Sequence, residues 1–191
     1  MFKSMLLALG FMVSVSANAS TNLSTLAHDI NTQILSDVQM QGVFNWKVGD
    51  TTTYNLDMTI LQGTMTMAVK DVQPDSVTFT QVMDMGPAGK QACEMTINPN
   101  TGATKKFTCN GQDQNTDGAG QVEVVEQKED SVTVPAGTFT CLYIKAKQKK
   151  DGGIIEQWVN PKLIPVLGMA KTIAPSQFGS VTIVLASYKR M

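Results

Sequence analysis

The sequence predicts a mainly β chain of the α+β type: an antiparallel sheet that curls, with one N-terminal helix packed against it. Three observations carry this. Apolar residues recur at three- and four-residue spacing in one stretch, between Leu23 and Val38. The later segments alternate apolar and polar residues between turns rich in Gly, Pro and Asn. No Gly-rich phosphate loop precedes a helix, which disfavours the nucleotide-binding folds.

The chain has 191 residues, enough for one domain with a core of its own. Its first segment stands outside that core. Lys3 supplies a positive charge, Met5 to Val15 is an apolar run, and Ala17-Asn18-Ala19 has the small-x-small pattern that a signal peptidase reads. The expected division is a signal peptide over 1–19, cleaved after Ala19, and a single domain over 20–191. The apolar run is too short for a hydrocarbon core that needs roughly 20 residues, and no later stretch is long enough to span. Ser20 follows the cleavage site, where a bacterial lipid anchor would need cysteine. These features place the mature chain in the periplasm as a soluble protein.

In the helical stretch, Leu23, Leu26, Ile30, Ile34, Leu35 and Val38 share a face, Ser24 or Thr25 can cap the start, and Gly42 marks the end. The strands then follow in order. "NWKVGDTTTYNLDM" turns at Val48-Gly49-Asp50 and alternates Tyr54, Leu56 and Met58. "GTMTMAVKDV" sets Met65, Met67 and Val69 on one face. "SVTFTQVMDM" does the same with Val77, Phe79, Met83 and Met85. "CEMTINPNTGATKKFTC" is a hairpin around Asn100-Thr101-Gly102, and 110–120 reads as a polar loop. "QVEVVEQKEDSVTV", "GTFTCLYIKAK", "GIIEQWVN", "VLGMAKTI" and "SVTIVLASY" complete about nine or ten strands. Pro161 and Pro165 bracket a short extended crossover.

Taking Lys3 from the 15 Lys and Arg leaves 14 against 16 Asp and Glu, a net charge of about −2 after cleavage. The charges are interspersed, and nucleic acid is not an expected partner. Lys145, Lys147, Lys149 and Lys150 form the one basic run, read as a solvated strand edge that resists aggregation.

An oxidising compartment favours disulfides, and the three cysteines allow three single pairings. The hairpin chooses among them. A three-residue loop with a left-handed Gly102 puts Pro99 opposite Ala103, Met95 opposite Phe107, and Cys93 opposite Cys109. The expected disulfide is therefore Cys93–Cys109. Cys141 shares strand parity with Phe139 and Tyr143, far from the single histidine, His28. It is expected to be a small buried side chain rather than a nucleophile.

Met58, Met65, Met67, Met83, Met85 and Met95 fall on four consecutive predicted strands, each with its strand's apolar set. Three readings compete: ordinary core, a pliable apolar cavity that also includes Phe79, and a Cu(I) site built from the Met-x-Met pairs Met65/Met67 and Met83/Met85. A serine triad or a zinc site lacks its usual spacing, and nothing singles out a pair of carboxylates. No catalytic residue, cofactor or enzyme activity is expected.

"VTVPAGTFTCLYIKA", "EQWVNPKLIPVLGMAK" and the final "LASYKR" resemble a bacterial periplasmic family with uncharacterised members, related in architecture to the LolA/LolB-like lipoprotein carriers. The likeness covers Val132 to Tyr188, and "WKVGDTTTY" fits it. It implies a strongly curved antiparallel sheet or incomplete β-barrel, plugged by a helix and apolar on its concave side. Within it, Pro135-Ala136-Gly137 reads as a corner where one strand bends and resumes. The function expected is binding of a lipid, acyl chain or lipoprotein in a curved β cavity. The alternatives are a non-catalytic envelope module with an envelope protein partner, and a Cu(I)-binding protein.

Overall fold

The structure, a computed structural model, describes residues 44–58, 61–114, 122–149, 151–176 and 179–191. They form eleven strands: β1 (Thr51–Asp57), β2 (Gln62–Gln73), β3 (Ser76–Asp84), β4 (Lys90–Ile97), β5 (Thr104–Cys109), β6 (Gln112–Asp113), β7 (Val122–Val134), β8 (Gly137–Gln148), β9 (Ile154–Val159), β10 (Met169–Ser176) and β11 (Gly179–Lys189). A single 3-10 turn, Gly86–Ala88, lies between β3 and β4.

All eleven strands belong to one sheet, in the order β6-β5-β4-β3-β2-β1-β11-β10-β9-β8-β7, antiparallel throughout. The chain thus makes two meanders, β1 to β6 and β7 to β11, and joins them by pairing its first strand with its last. The sheet is open, with β6 and β7 at its edges. It curls nonetheless. The Ala136 amide at the β7–β8 turn donates to the Leu185 carbonyl of β11 at 3.2 Å, and the Phe139 and Tyr188 rings meet edge to face at 6.2 Å. In a flat sheet, β8 and β11 would stand about 14 Å apart at three strand spacings.

The expected α+β class is corrected by these findings. Among the described residues there is no α-helix, and none packs against the sheet; the class is all-β, and the sheet is open rather than a helix-plugged barrel. The predicted helix between Leu23 and Val38, with His28 on it, lies outside the described residues. A helical period marks one segment as amphipathic. It says nothing about what that segment docks against.

Three further expectations change. Pro135-Ala136 is not a bend in one strand but a two-residue reversal, with Val134 opposite Gly137. Pro135 has no amide to donate and Gly137 takes φ 135°, so both suit a tight turn as well as a bulge. "VLGMAKTI" begins as a turn, and the strand starts only at Met169, because Val166 (φ 64°) and Gly168 (φ 71°) hold left-handed conformations. Of the basic run, Lys145 and Lys147 are not at an edge; Lys149 follows the end of β8, and Lys150 lies outside the described residues. Lys147 pairs with Glu123, and Lys145 lies between Glu126 and Glu156, inside the sheet on β8. The edge is β7, whose exposed Glu123, Glu126, Lys128 and Glu129 discourage pairing with another chain.

The loop between β9 and β10 is buried for most of its length, including Ile164, Val166 and Leu167. Asn160 organises it: its amide donates to the Gly168 carbonyl (2.7 Å), its side-chain oxygen accepts from the Leu163 amide (3.0 Å), and its side-chain nitrogen donates to the Thr140 carbonyl of β8 (2.7 Å). The Arg190 guanidinium donates to the Pro161 carbonyl at 3.2 Å. A left-handed valine costs roughly 1–3 kcal/mol. Complete burial of Val166 and a 2.7 Å hydrogen bond from the Trp46 indole to its carbonyl offset that cost.

Candidate functional site

One face of β1 to β5 carries the site, and the register aligns it in rows. Thr52, Met67, Gln81 and Cys93 oppose one another in turn, as do Tyr54, Met65, Met83 and Gln91. A third row runs Val69, Phe79, Met95 and Phe107. Alternation of side chains in a strand puts all three rows on the same side. The predicted candidates Met58, Met65, Met67, Phe79, Met83, Met85 and Met95 are brought together in the one core, none more than 6 % exposed. Met65 and Met83 face each other directly, so the two Met-x-Met pairs meet across β2 and β3.

Gly63 explains how Met85 fits. A Cβ at Gly63 would stand 2.6 Å from the Met85 sulfur and 2.6 Å from the Asp84 carbonyl oxygen. The missing side chain is the space the thioether occupies. At the other end of the face, Trp46 sets its edge against Phe79 (6.0 Å between centroids), stacks on Phe44 (4.8 Å), and donates its indole N–H to Val166. It ties the methionine face to the buried loop. Sequence reasoning did not single out Trp46; an indole just ahead of a strand gives no sign of a partner that lies 120 positions away.

The face is not wholly apolar: Asp50, fully buried, meets Val69 at one end of it, where its carboxylate accepts from the Lys47 and Met191 amides. Thr52, Tyr54, Gln81 and Gln91 are buried on it. The Thr52 hydroxyl, the Tyr54 hydroxyl and the Gln81 side-chain nitrogen have no hydrogen-bond partner. Burial drives the Tyr54 phenol far above its usual range, against a smaller opposing pull from the neighbouring Thr52 hydroxyl, so it stays protonated and remains a donor. No sequence signal marked these polar residues, because a Gln or Tyr at an inward position looks like any interruption of the alternation.

Away from its turn the hairpin has the predicted pairs. Met95 opposes Phe107, Cys93 opposes Cys109, and the two cysteines form the disulfide. At the turn the expectation is corrected: Asn98, not Pro99, faces Ala103, its amide donating to the Ala103 carbonyl at 2.8 Å, and a register shift between Thr96 and Ile97 restores the predicted pairs beyond it; Gly102 takes φ 70°, as a left-handed turn glycine does.

Cys141 is free and buried, and lies with Tyr143 and Trp158 on the opposite side of the strands from Ile144 and Gln157. Around it the Trp158 indole donates to Asp130 (2.8 Å), the Tyr143 hydroxyl donates to Glu156 (3.1 Å), and Lys171 and Lys128 stand 5.0 Å over the Trp158 and Tyr143 rings. Burial, with the Asp130 carboxylate opposite, pushes the Cys141 thiol up to about 11. It is therefore protonated at neutral pH and a poor nucleophile. Iodoacetamide at pH 8 should label Cys141 slowly in the native protein and fully in denaturant; rapid native labelling would show an accessible thiolate.

No family model matches the sequence, and no curated protein sequence matches it. Solved structures are similar to it in differing degree. The hypothetical protein CT021 from Chlamydia trachomatis superposes with a TM-score of 0.51 at 9 % identity, over 75 % of this chain and 88 % of that one. A protein inferred to be exported, with a YmcC-like fold, from Bacteroides fragilis NCTC 9343 gives 0.44 at 11 % identity, over 77 % and 98 % of the two chains. An inferred lipoprotein from Parabacteroides distasonis gives 0.46 at 16 % identity, with the same 77 % and 98 %. The likeness to CT021 establishes a shared fold and nothing about activity. Fold and site together define, for the described residues, an all-β architecture: one open, curling antiparallel sheet with a methionine-lined face. Among the described residues no helix is long and apolar enough to cross a membrane.

Proposed function

We propose that this chain is an exported binding protein that holds an apolar ligand, such as a lipid or acyl chain, against the methionine face of its curved sheet. The observation that carries the reading is the alignment of Met65, Met67, Met83 and Met95 with Phe79 in adjoining rows. Thioether side chains are unbranched and polarizable, so they repack around chains of varied shape where branched residues would not. Export rests on the Lys3, Met5–Val15 and Ala17-Asn18-Ala19 pattern of the sequence.

A second reading has its own support. Every methionine of the face is already buried, as in a module whose interior is filled by its own side chains and which serves as a scaffold in the envelope. Titration with an apolar fluorescent dye separates the two. If the first reading holds, the parent protein binds dye, and Met67→Gln or Met85→Gln weakens binding several-fold with only a small loss of stability. If the face is plain core, no dye binds, and each buried amide costs roughly 1–3 kcal/mol in a thermal or urea melt.

A further inference from the structure

We infer that Tyr54 and Gln81, with Thr52 in the row of Gln81, form a hydrogen-bonding subsite on the methionine face for the carbonyl oxygens of an acyl ligand. This inference rests on the apolar-ligand reading above and names the chemistry of its polar end.

The geometry follows from register. Thr52 and Gln81 share one row with Met67 between them, which sets their backbones about 10 Å apart at two strand spacings. Tyr54 lies one side-chain pair further along β1, about 7 Å from Thr52, in the row of Met65 and Met83. The three polar groups thus frame Met65 and Met67. The Thr52 and Tyr54 side chains are fully buried and Gln81 is 7 % exposed, and all three present polar atoms without partners. Buried polar groups in native proteins nearly always have partners, and three unpaired atoms on one apolar face call for one.

The donor pattern fixes the partner. A protonated phenol and a carboxamide nitrogen both donate, so the group they share accepts. Across β1 to β5 no cation stands in either row, whose other members are Met65, Met67, Met83, Gln91 and the disulfide-bonded Cys93 and Cys109. Burying a carboxylate there without a counter-charge would be costly, whereas a neutral ester carbonyl needs only the two donors. The thioethers and Phe79 then take the hydrocarbon chain. The ligand class is a neutral acyl ester.

Binding to the full-length exported chain can be measured by displacement of an apolar dye, using a long-chain methyl ester, the fatty acid and the alkane of equal carbon number. The ester should bind about tenfold more tightly than the alkane, the gain expected of one or two neutral hydrogen bonds, and more tightly than the fatty acid at neutral pH. Tyr54→Phe and Gln81→Met should each remove most of that ester preference and leave alkane affinity unchanged. Tyr54→Phe keeps the ring and deletes only a partnerless hydroxyl, so its melting midpoint in the absence of ligand should hold or rise. A lowered midpoint, or an ester preference that survives both substitutions, overturns the subsite while leaving the apolar-ligand reading intact. A fatty acid that binds more tightly than its ester overturns the neutral carbonyl. If dye, ester and alkane all fail to bind, the apolar-ligand reading falls and the subsite with it.

Discussion

Phe79→Ala should destabilise the protein by about 3–5 kcal/mol, the range for deleting a fully buried aromatic ring. Phe79 has no exposed surface, stands between Val69 and Met95 in its row, and receives the edge of Trp46. Removing the ring leaves a void that the disulfide-tied hairpin on one side and the Trp46–Val166 link on the other prevent from collapsing. A domain of this kind has about 5–15 kcal/mol of stability in all, so the loss should show as a large fall in the urea midpoint. A cost below about 1 kcal/mol would mean that the ring borders space rather than packed atoms. That result would weaken the self-filled reading and favour an open apolar cavity.

Loss of the Cys93–Cys109 bridge should cost about 3 kcal/mol in the chain-entropy account of a loop this size; its two cysteines are 16 positions apart. The position of the bridge adds to its importance. On its outer side β5 is paired only to the two-residue β6, so β4 and the disulfide hold the end of the sheet. The double substitution Cys93→Ala with Cys109→Ala should lower the melting midpoint, and hydrogen exchange should show β5 and β6 opening first. The backbone bond from Asn110 to the Ala92 carbonyl (2.7 Å) and its return from Ala92 to the Asn110 side chain (3.0 Å) would still hold the strand end loosely. An unchanged midpoint with unchanged exchange would show that strand pairing alone secures this edge. Substituting Cys141 instead should leave the bridge intact.

The site was legible in the sequence where its signals are local. The turn signal at Asn100-Thr101-Gly102 placed the hairpin and brought Cys93 opposite Cys109, although the loop closes at Asn98 and Ala103 and a register shift between Thr96 and Ile97 makes up the difference. The two-residue period of β2 and β3 put Met65, Met67, Phe79 and Met83 on inward positions, where they are found buried. The same period could not show that Met65 would stand opposite Met83, nor that Gly63 would leave room for Met85. Those depend on a hairpin alignment that includes a register shift between Val69 and Asp71. Val166 misled for a related reason. A β-branched residue beside Leu167 reads as strand by propensity, and only the indole of Trp46 and the surrounding burial hold it in a left-handed turn.

By itself, then, the amino-acid sequence determined the alternation of the strands, the punctuation between them and the cysteine pairing, all of which are settled by neighbours a few residues apart. Tertiary structure alone decided that the first and last strands pair, with Thr51 opposite Lys189, and that an open sheet curls until the β7–β8 turn reaches β11. It also decided that the class is all-β among the described residues, and that Thr52, Tyr54 and Gln81 converge on the methionine face. Contacts between distant residues carry a loop-closure cost that no short window reveals. They form only where many rows of side chains bury one another at once, and that cooperation belongs to the folded sheet rather than to any one of its strands.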